Sequence, residues 1–172
     1  KCNNPLYCTD PGKQELNEFA FHSEVGYVAH QWDLKPFAEF GYAYFSKDYH
    51  PVFSGHSTWG RWYMGNQTPW INFNTNQQVI RGQIGFSPLP NLTTRFLYFN
   101  TQLVSGTGGP ISQEFQLTVD WFPLKPLWVG LLFSYGDGGN ALVENKLTNL
   151  FTKTAAGNQD TFDVVVGSSV SF

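Results

Sequence analysis

Charged side chains at alternate positions of aromatic-rich segments are the residues of this chain most suited to act together. Six carboxylates and one guanidinium fall on the same sides of these segments: Glu18, Glu24, Glu39, Glu114, Asp120, Asp163 and Arg81. Carboxylates around a wet passage could select or bind cations, and Arg81 with Glu39 or Asp120 could form a charge ladder. Alternatively, these groups only hydrogen-bond to one another across a hydrated interior.

A second group of residues lies in the long polar stretch 46–76, which is dense in Trp, Tyr, Gly, Asn and His. Its aromatic rings could stack on sugars or dock a partner protein, or they could form the core of a folded loop. The binding candidates in this stretch are Trp59, Arg61, Trp62, Tyr63 and Trp70.

Two cysteines, Cys2 and Cys8, enclose five residues that include Asn and Pro. An even count at short spacing favours a small disulfide loop formed in an oxidising compartment. Two free thiols, or half of a metal site, are the alternatives.

Cofactor and enzyme motifs are weak in this chain. His50 and His56 have no third ligand at metal-binding spacing. The run 137–140 matches only one turn of a calcium-binding repeat, which is more often a tight turn. Ser23 beside His22 lacks a nucleophile motif. We therefore expect no metal, no cofactor and no enzyme activity.

The elements that position these residues must be strands. Aromatic residues make up 17% of the chain and charged residues 13%, about half the usual charged share. The chain has no run of about eighteen apolar residues, the length that a transmembrane helix needs. The net charge of −3 provides no electrostatic case for binding nucleic acid.

Seven runs alternate between apolar and small or polar residues, with the period of two that β-strands have. They cover about 16–30, 34–45, 77–86, 93–104, 114–121, 127–135 and 160–172. The breaks after the first, third and fifth runs are short, and those after the second, fourth and sixth are longer. Aromatic residues gather near the run ends, at Trp32, Tyr44, Trp121, Trp128 and Phe172.

These features predict an all-β fold, a transmembrane antiparallel up-and-down β-barrel whose lipid-facing positions alternate with lumen-facing ones. The terminal Phe172 resembles the C-terminal assembly signal of bacterial outer-membrane barrels, which the insertion machinery reads. The C-terminus would then be periplasmic. Residues 1–15, 46–76 and 136–159 would be extracellular loops, within a single barrel segment 1–172 that ends in the strand 160–172.

About seven strands is an odd number, whereas complete single-chain bacterial barrels have even numbers. We therefore expect this chain to be the C-terminal part of a larger barrel. The remaining strands would come from an absent N-terminal segment or from another chain.

The segment 53–66, with its Trp-Gly-Arg-Trp-Tyr element, and the strand-like segment 76–88 resemble the alginate-export family of outer-membrane porins. So does the run Thr118-Val119-Asp120-Trp121. The resemblance implies a barrel of about sixteen to eighteen strands. It also implies an outer-membrane channel of a Gram-negative bacterium that passes a hydrophilic solute or polysaccharide. Its partners would be the lipid bilayer and the insertion machinery.

One departure from that family concerns charge, because the faces assigned to the lumen are acidic and an acidic lumen repels a polyuronate. Either the compensating arginines lie elsewhere in the barrel, or the solute is neutral or cationic, or the barrel has another use. Two alternatives stay open: a structural barrel whose loops dock a partner, and a soluble β-sandwich that binds glycans.

Overall fold

A computed structural model describes residues 19–47, 58–59, 62–63, 76–105, 110–138 and 161–171. The strands within these ranges are β1 (Ala20–Val28), β2 (Phe37–Phe45), β3 (Thr58–Trp59), β4 (Trp62–Tyr63), β5 (Gln77–Leu89), β6 (Leu92–Leu103), β7 (Pro110–Leu124), β8 (Leu127–Gly138) and β9 (Thr161–Val170). The described residues include no helix that is long and apolar enough to cross a membrane.

Seven of these strands form one antiparallel sheet in the order β1-β2-β5-β6-β7-β8-β9. Each strand therefore pairs with the next long strand along the chain, which is an up-and-down arrangement. The prediction of an all-β, up-and-down antiparallel fold is confirmed. The sheet is not closed, and β1 and β9 are its two edge strands.

The connections differ in length at the two ends of the sheet. At one end, here the short-turn end, β5–β6 and β7–β8 are joined by two residues each, and β1–β2 by the turn 29–36. Register shifts follow Phe86 in β5 and Trp121 in β7, close to the prolines of these turns, where a residue without a backbone N–H is tolerated. At the opposite, long-loop end, β2–β5 and β8–β9 are joined by the long segments 46–76 and 139–160, whereas β6–β7 is joined by the six residues 104–109, fewer than the eight of the β1–β2 turn.

The two faces of the sheet have opposite composition. On β5, Gln77, Val79, Arg81 and Gln83 are buried, whereas Ile80 and Ile84 between them are exposed. The alternation of buried and exposed positions continues on the neighbouring strands, but on β6 the buried residues Leu97 and Phe99 are apolar and pack with Val79 and Ala43. We call the buried face, which carries Arg81, the inner face, and the face that carries Ile80 the outer face.

The structure changes some of the predicted boundaries. The loop predicted for 136–159 begins later, because β8 continues through Gly136, Asp137 and Gly138, which pair with Glu114, Gln113 and Ser112. Gly136 and Gly138 made this segment resemble a turn in the sequence. Pairing with the long strand β7 instead continues β8 through these residues. Asp137 therefore lies in a strand rather than in a calcium-type turn. The last strand, predicted at 160–172, is observed over Thr161–Val170, and Phe172 lies outside the described residues.

Candidate functional site

An ion cluster built around Arg81 occupies the inner face near edge strand β1. Arg81 on β5 lies opposite Gly41 on β2, and Gly41 in turn lies opposite Glu24 on β1. Because Gly41 has no side chain, the Arg81 guanidinium reaches across β2, and its Nη2 lies 3.1 Å from Glu24 Oε1. The glycine thus allows two residues from non-adjacent strands to form an ion pair.

Two further groups complete this cluster. Glu39 on β2 forms an ion pair with Arg81, and His22 Nε2 lies 3.1 Å from Glu24 Oε1. The Arg81 side chain is only 3% exposed, whereas those of Glu24 and Glu39 are about one-third exposed. One buried cation is therefore held between two carboxylates that still contact solvent.

A second cluster lies toward the short-turn end of the same face. Arg95 on β6 forms an ion pair with Asp120 on β7, and Trp128 Nε1 on β8 donates a 2.8 Å hydrogen bond to Asp120 Oδ1. The Arg95 guanidinium also lies 5.9 Å from the centroid of the Phe37 ring. Asp120, whose side chain is only 4% exposed, thus has a cationic partner on one side and an indole N–H on the other.

Glu114 on β7 is the most buried carboxylate of the described inner face, at 1% exposure. Its Oε1 accepts a 2.8 Å hydrogen bond from Gln116 Nε2 and a 2.6 Å bond from Ser134 Oγ. Both of these donors are neutral side chains.

Three polar atoms close to these clusters are buried and have no hydrogen-bond partner: Thr101 Oγ1, Gln116 Oε1 and Thr118 Oγ1. A buried polar atom without a partner carries a desolvation cost of about 1–3 kcal/mol. Ordered water is the common way in which proteins remove that cost. The inner face is therefore chemically suited to a hydrated space.

The predicted site residues can now be placed on the sheet. Glu24, Glu39, Arg81, Glu114 and Asp120 all lie on the inner face, and Asp163 on β9 lies opposite Ser134 of that face. The predicted pairing of Arg81 with Glu39 is confirmed. Asp120 instead pairs with Arg95 of β6, the strand that lies between β5 and β7.

Sequence reasoning missed Arg95 and misplaced Trp128. Arg95 lies two residues before Leu97 and shares the inner face of β6 with the buried Leu97 and Phe99. Because these neighbours are apolar, the period of two did not mark this side of the strand as polar. Trp128 was assigned to a band of aromatic residues near the strand ends. The structure instead places its indole on the inner face, where it bonds to Asp120 and would contact any Cβ added at Gly167.

Part of the aromatic loop group forms a short hairpin. Trp59 on β3 pairs with Trp62 on β4, and Thr58 pairs with Tyr63. Arg61 and Trp70 lie outside the described residues, as do Glu18, Cys2, Cys8, the predicted disulfide and the loop histidines His50 and His56. Among the residues that the structure describes, no three His, Cys, Asp or Glu side chains are grouped so that they could hold a metal ion.

The described inner face thus combines two arginine–carboxylate clusters, a buried carboxylate with neutral donors, and buried polar atoms without partners. Such a surface can hydrate and order small polar solutes, and it offers more acidic than basic groups to them. Comparisons with known protein families, curated proteins and solved structures found no match for this chain.

Proposed function

We propose that this chain forms part of an outer-membrane β-barrel whose inner face lines a lumen for hydrophilic solutes. The observation that carries the proposal is the reversed distribution of polarity between the two faces of the sheet. The buried residues are mostly polar or charged and include Arg81, Glu114 and Asp120, beside an apolar cluster of Ala43, Val79, Leu97 and Phe99. The large exposed residues of the outer face are apolar.

A soluble β-sandwich would have the opposite distribution, because it buries its apolar face and exposes its polar one. Here Val166 on β9 is 73% exposed, and Phe162, Phe40 and Ile84 are each more than half exposed. A contiguous apolar surface of this extent marks contact with another protein or with a membrane. A bilayer fits best, because the apolar positions recur on all seven strands.

The ends of the outer face support the same proposal. At the long-loop end, five side-chain hydrogen bonds of 2.8–3.3 Å connect four strands through Tyr42, Gln78, Gln102, Asn100, Tyr98 and Gln113. At the short-turn end, Trp32 and Trp121 are exposed. Phenols, amides and indoles are suited to the headgroup levels on the two sides of a membrane.

The apolar band between these levels has a suitable height. Along β7, Gln113 and Trp121 are eight residues apart (121 − 113), which is about 27 Å of strand. A tilt of about 40° reduces this length to about 20 Å across the membrane, close to the apolar band of about 25 Å in known barrels.

The charge of the inner face predicts which class of solute the lumen favours. Carboxylates outnumber the arginines in the described clusters, so the lumen favours neutral or cationic solutes over polyanions. The resemblance to alginate-export porins remains part of this proposal for the architecture. Strands beyond β1 and β9, from the same protein or from another chain, would close the barrel, because lipid does not tolerate an open sheet edge.

Single-channel recording on the full protein in planar bilayers tests the proposal. The variant Arg81→Gln removes a cation from the inner face, and Lys125→Gln removes one from the exposed turn between β7 and β8. One charge about 8 Å from a passing ion contributes about 0.5 kcal/mol in water. We therefore expect Arg81→Gln to increase cation over anion permeability about twofold at low salt.

The matched variant Lys125→Gln should leave the reversal potential unchanged. A lumen proposal would be refuted by a protein that stays monomeric in water without detergent, or by channels in which both variants behave alike.

A second candidate is a sealed barrel that serves as a scaffold and docks a partner through its long-loop end. The observation that favours it is the mutual pairing of the inner-face charges, with Arg81 only 3% exposed. Detergent-dependent solubility and heat-modifiable gel mobility without any conductance would support this scaffold over the channel.

A further inference from the structure

A groove runs along the outer face at the short-turn end of the sheet. Its larger part, of about 830 Å³, lies between the β1–β2 turn and strands β5 and β6. A second part of about 510 Å³ continues toward the middle of the sheet. Both parts are bordered by Tyr27, Ala38, Ile84 and Phe96, so they form one continuous groove.

The floor of this groove is made by small residues and its walls by large ones. A Cβ added at Gly82 would have no atom within 4 Å, and Ala38 on the adjacent strand is exposed. Phe40 lies directly opposite Gly82 on one side and Tyr98 on the other. A strip of open space thus runs along the strands between aromatic ridges.

The end of the groove is formed by the β1–β2 turn, which is held against the sheet. Ser87 N donates a 2.8 Å hydrogen bond to Leu34 O, and Ala29 N donates a 2.9 Å bond to Pro36 O. Trp32 at this end is 62% exposed. The turn also carries exposed Asp33 and Lys35, one charge of each sign.

We infer that this groove binds one acyl chain of a zwitterionic phospholipid from the leaflet at the short-turn end. This inference rests on the proposed membrane location of the outer face. A flexible apolar chain matches a long, narrow, apolar groove that opens toward lipid. The amine and phosphate of the headgroup match the carboxylate of Asp33 and the ammonium of Lys35, and Trp32 lies at headgroup level.

The fit of the acyl chain in the groove determines whether the lipid binds, because the surrounding lipid is as apolar as the groove and polarity gives no preference. Filling the floor therefore removes the site without changing the polarity of the face. The variants Gly82→Phe and Ala38→Leu add side chains to the floor. The matched variant Val166→Phe adds a ring on the outer face of β9, outside the groove.

Native mass spectrometry of the delipidated full protein, titrated with phosphatidylethanolamine in detergent, tests the inference. We expect one lipid to bind the wild type and Val166→Phe equally, and occupancy to fall about threefold or more in Gly82→Phe and Ala38→Leu. Equal occupancy in all four proteins would overturn the lipid site while leaving the barrel proposal intact.

Other results would also be decisive. Binding of phosphatidylglycerol with equal affinity would overturn the assignment of a zwitterionic headgroup. A protein dimer that Gly82→Phe dissociates would assign the groove to a second copy of the chain. A protein that needs no detergent would refute the membrane proposal itself, and the lipid site with it. Because Ala38→Leu adds a smaller side chain than Gly82→Phe, it keeps the test valid if the larger variant misfolds.

Discussion

Two glycines on β5 provide a sharp test of the register and of the difference between the two faces. Gly85 lies on the inner face opposite Phe37 and Arg95, and Gly82 lies on the outer face. A Cβ at Gly85 would be 2.7 Å from Thr94 O and 2.9 Å from Phe37 Cε1. A Cβ at Gly82 would meet no atom within 4 Å. The same substitution therefore meets opposite surroundings three residues apart.

We expect Gly85→Ala to lower the free energy of unfolding by about 1–3 kcal/mol, the usual cost of overpacking. The Phe37 ring can move away from the added methyl group, but Thr94 O belongs to the backbone, so β5 and β6 must also separate slightly. Gly82→Ala should instead raise stability by up to about 0.5 kcal/mol, because alanine restricts the unfolded chain. The two variants should differ by about 2 kcal/mol.

Urea unfolding of the full protein in lipid vesicles or detergent, followed by tryptophan fluorescence, measures both values. The double variant Phe37→Leu/Gly85→Ala should recover only part of the loss, because the contact with Thr94 O remains. If Gly85→Ala and Gly82→Ala agree within about 0.5 kcal/mol, the packing of Phe37 over Gly85 is wrong.

Three further substitutions probe the polar contacts by the same unfolding assay. Asp120→Asn should lower the free energy of unfolding by about 1–3 kcal/mol, because Arg95 loses its anionic partner. It should also alter the Trp128 emission, because the indole N–H then meets an amide instead of a carboxylate. Unchanged stability would contradict the ion pair. Asn76→Ala should be about 1 kcal/mol less stable than Asn76→Gly, since residue 76 has a φ of 54°; equal stabilities would argue against that conformation. Thr118→Val should destabilise by up to about 1 kcal/mol if water solvates the buried hydroxyl, whereas a gain in stability would indicate a dry, sealed interior.

Much of the sheet was predictable because strand alternation is a local property. The runs around Tyr42, Ile84 and Leu117 placed their apolar residues on the outer face, as the structure confirms. The seven strands of the sheet and the tight β5–β6 and β7–β8 connections also followed from local signals, namely proline-containing turns and polar breaks. The end of β8 was not predictable, because Gly136 and Gly138 resemble a turn until a long partner strand is present.

The partners of the charged residues depended on register, which no local signal determines. Arg81 meets Glu24 only because Gly41 lies between them, and their strands are brought together from opposite sides of the segment 46–76. Likewise, Asp120 meets Arg95 and Trp128 because it lies opposite Thr93 on β6 and opposite Gly130 on β8, two residues from each partner. A shift of one residue would have moved every one of these side chains to the other face.

By itself, therefore, the sequence determined the seven strands of the sheet and, on most of them, which side is polar, because the alternation within each strand repeats every two residues. On β6 it did not, because the buried side carries the apolar residues Leu97 and Phe99. Only the tertiary structure decided which charges meet, where the open groove lies on the outer face, and that Trp128 lies on the inner face. Those features depend on residues far apart in the chain, and the pairing of whole strands brings them together.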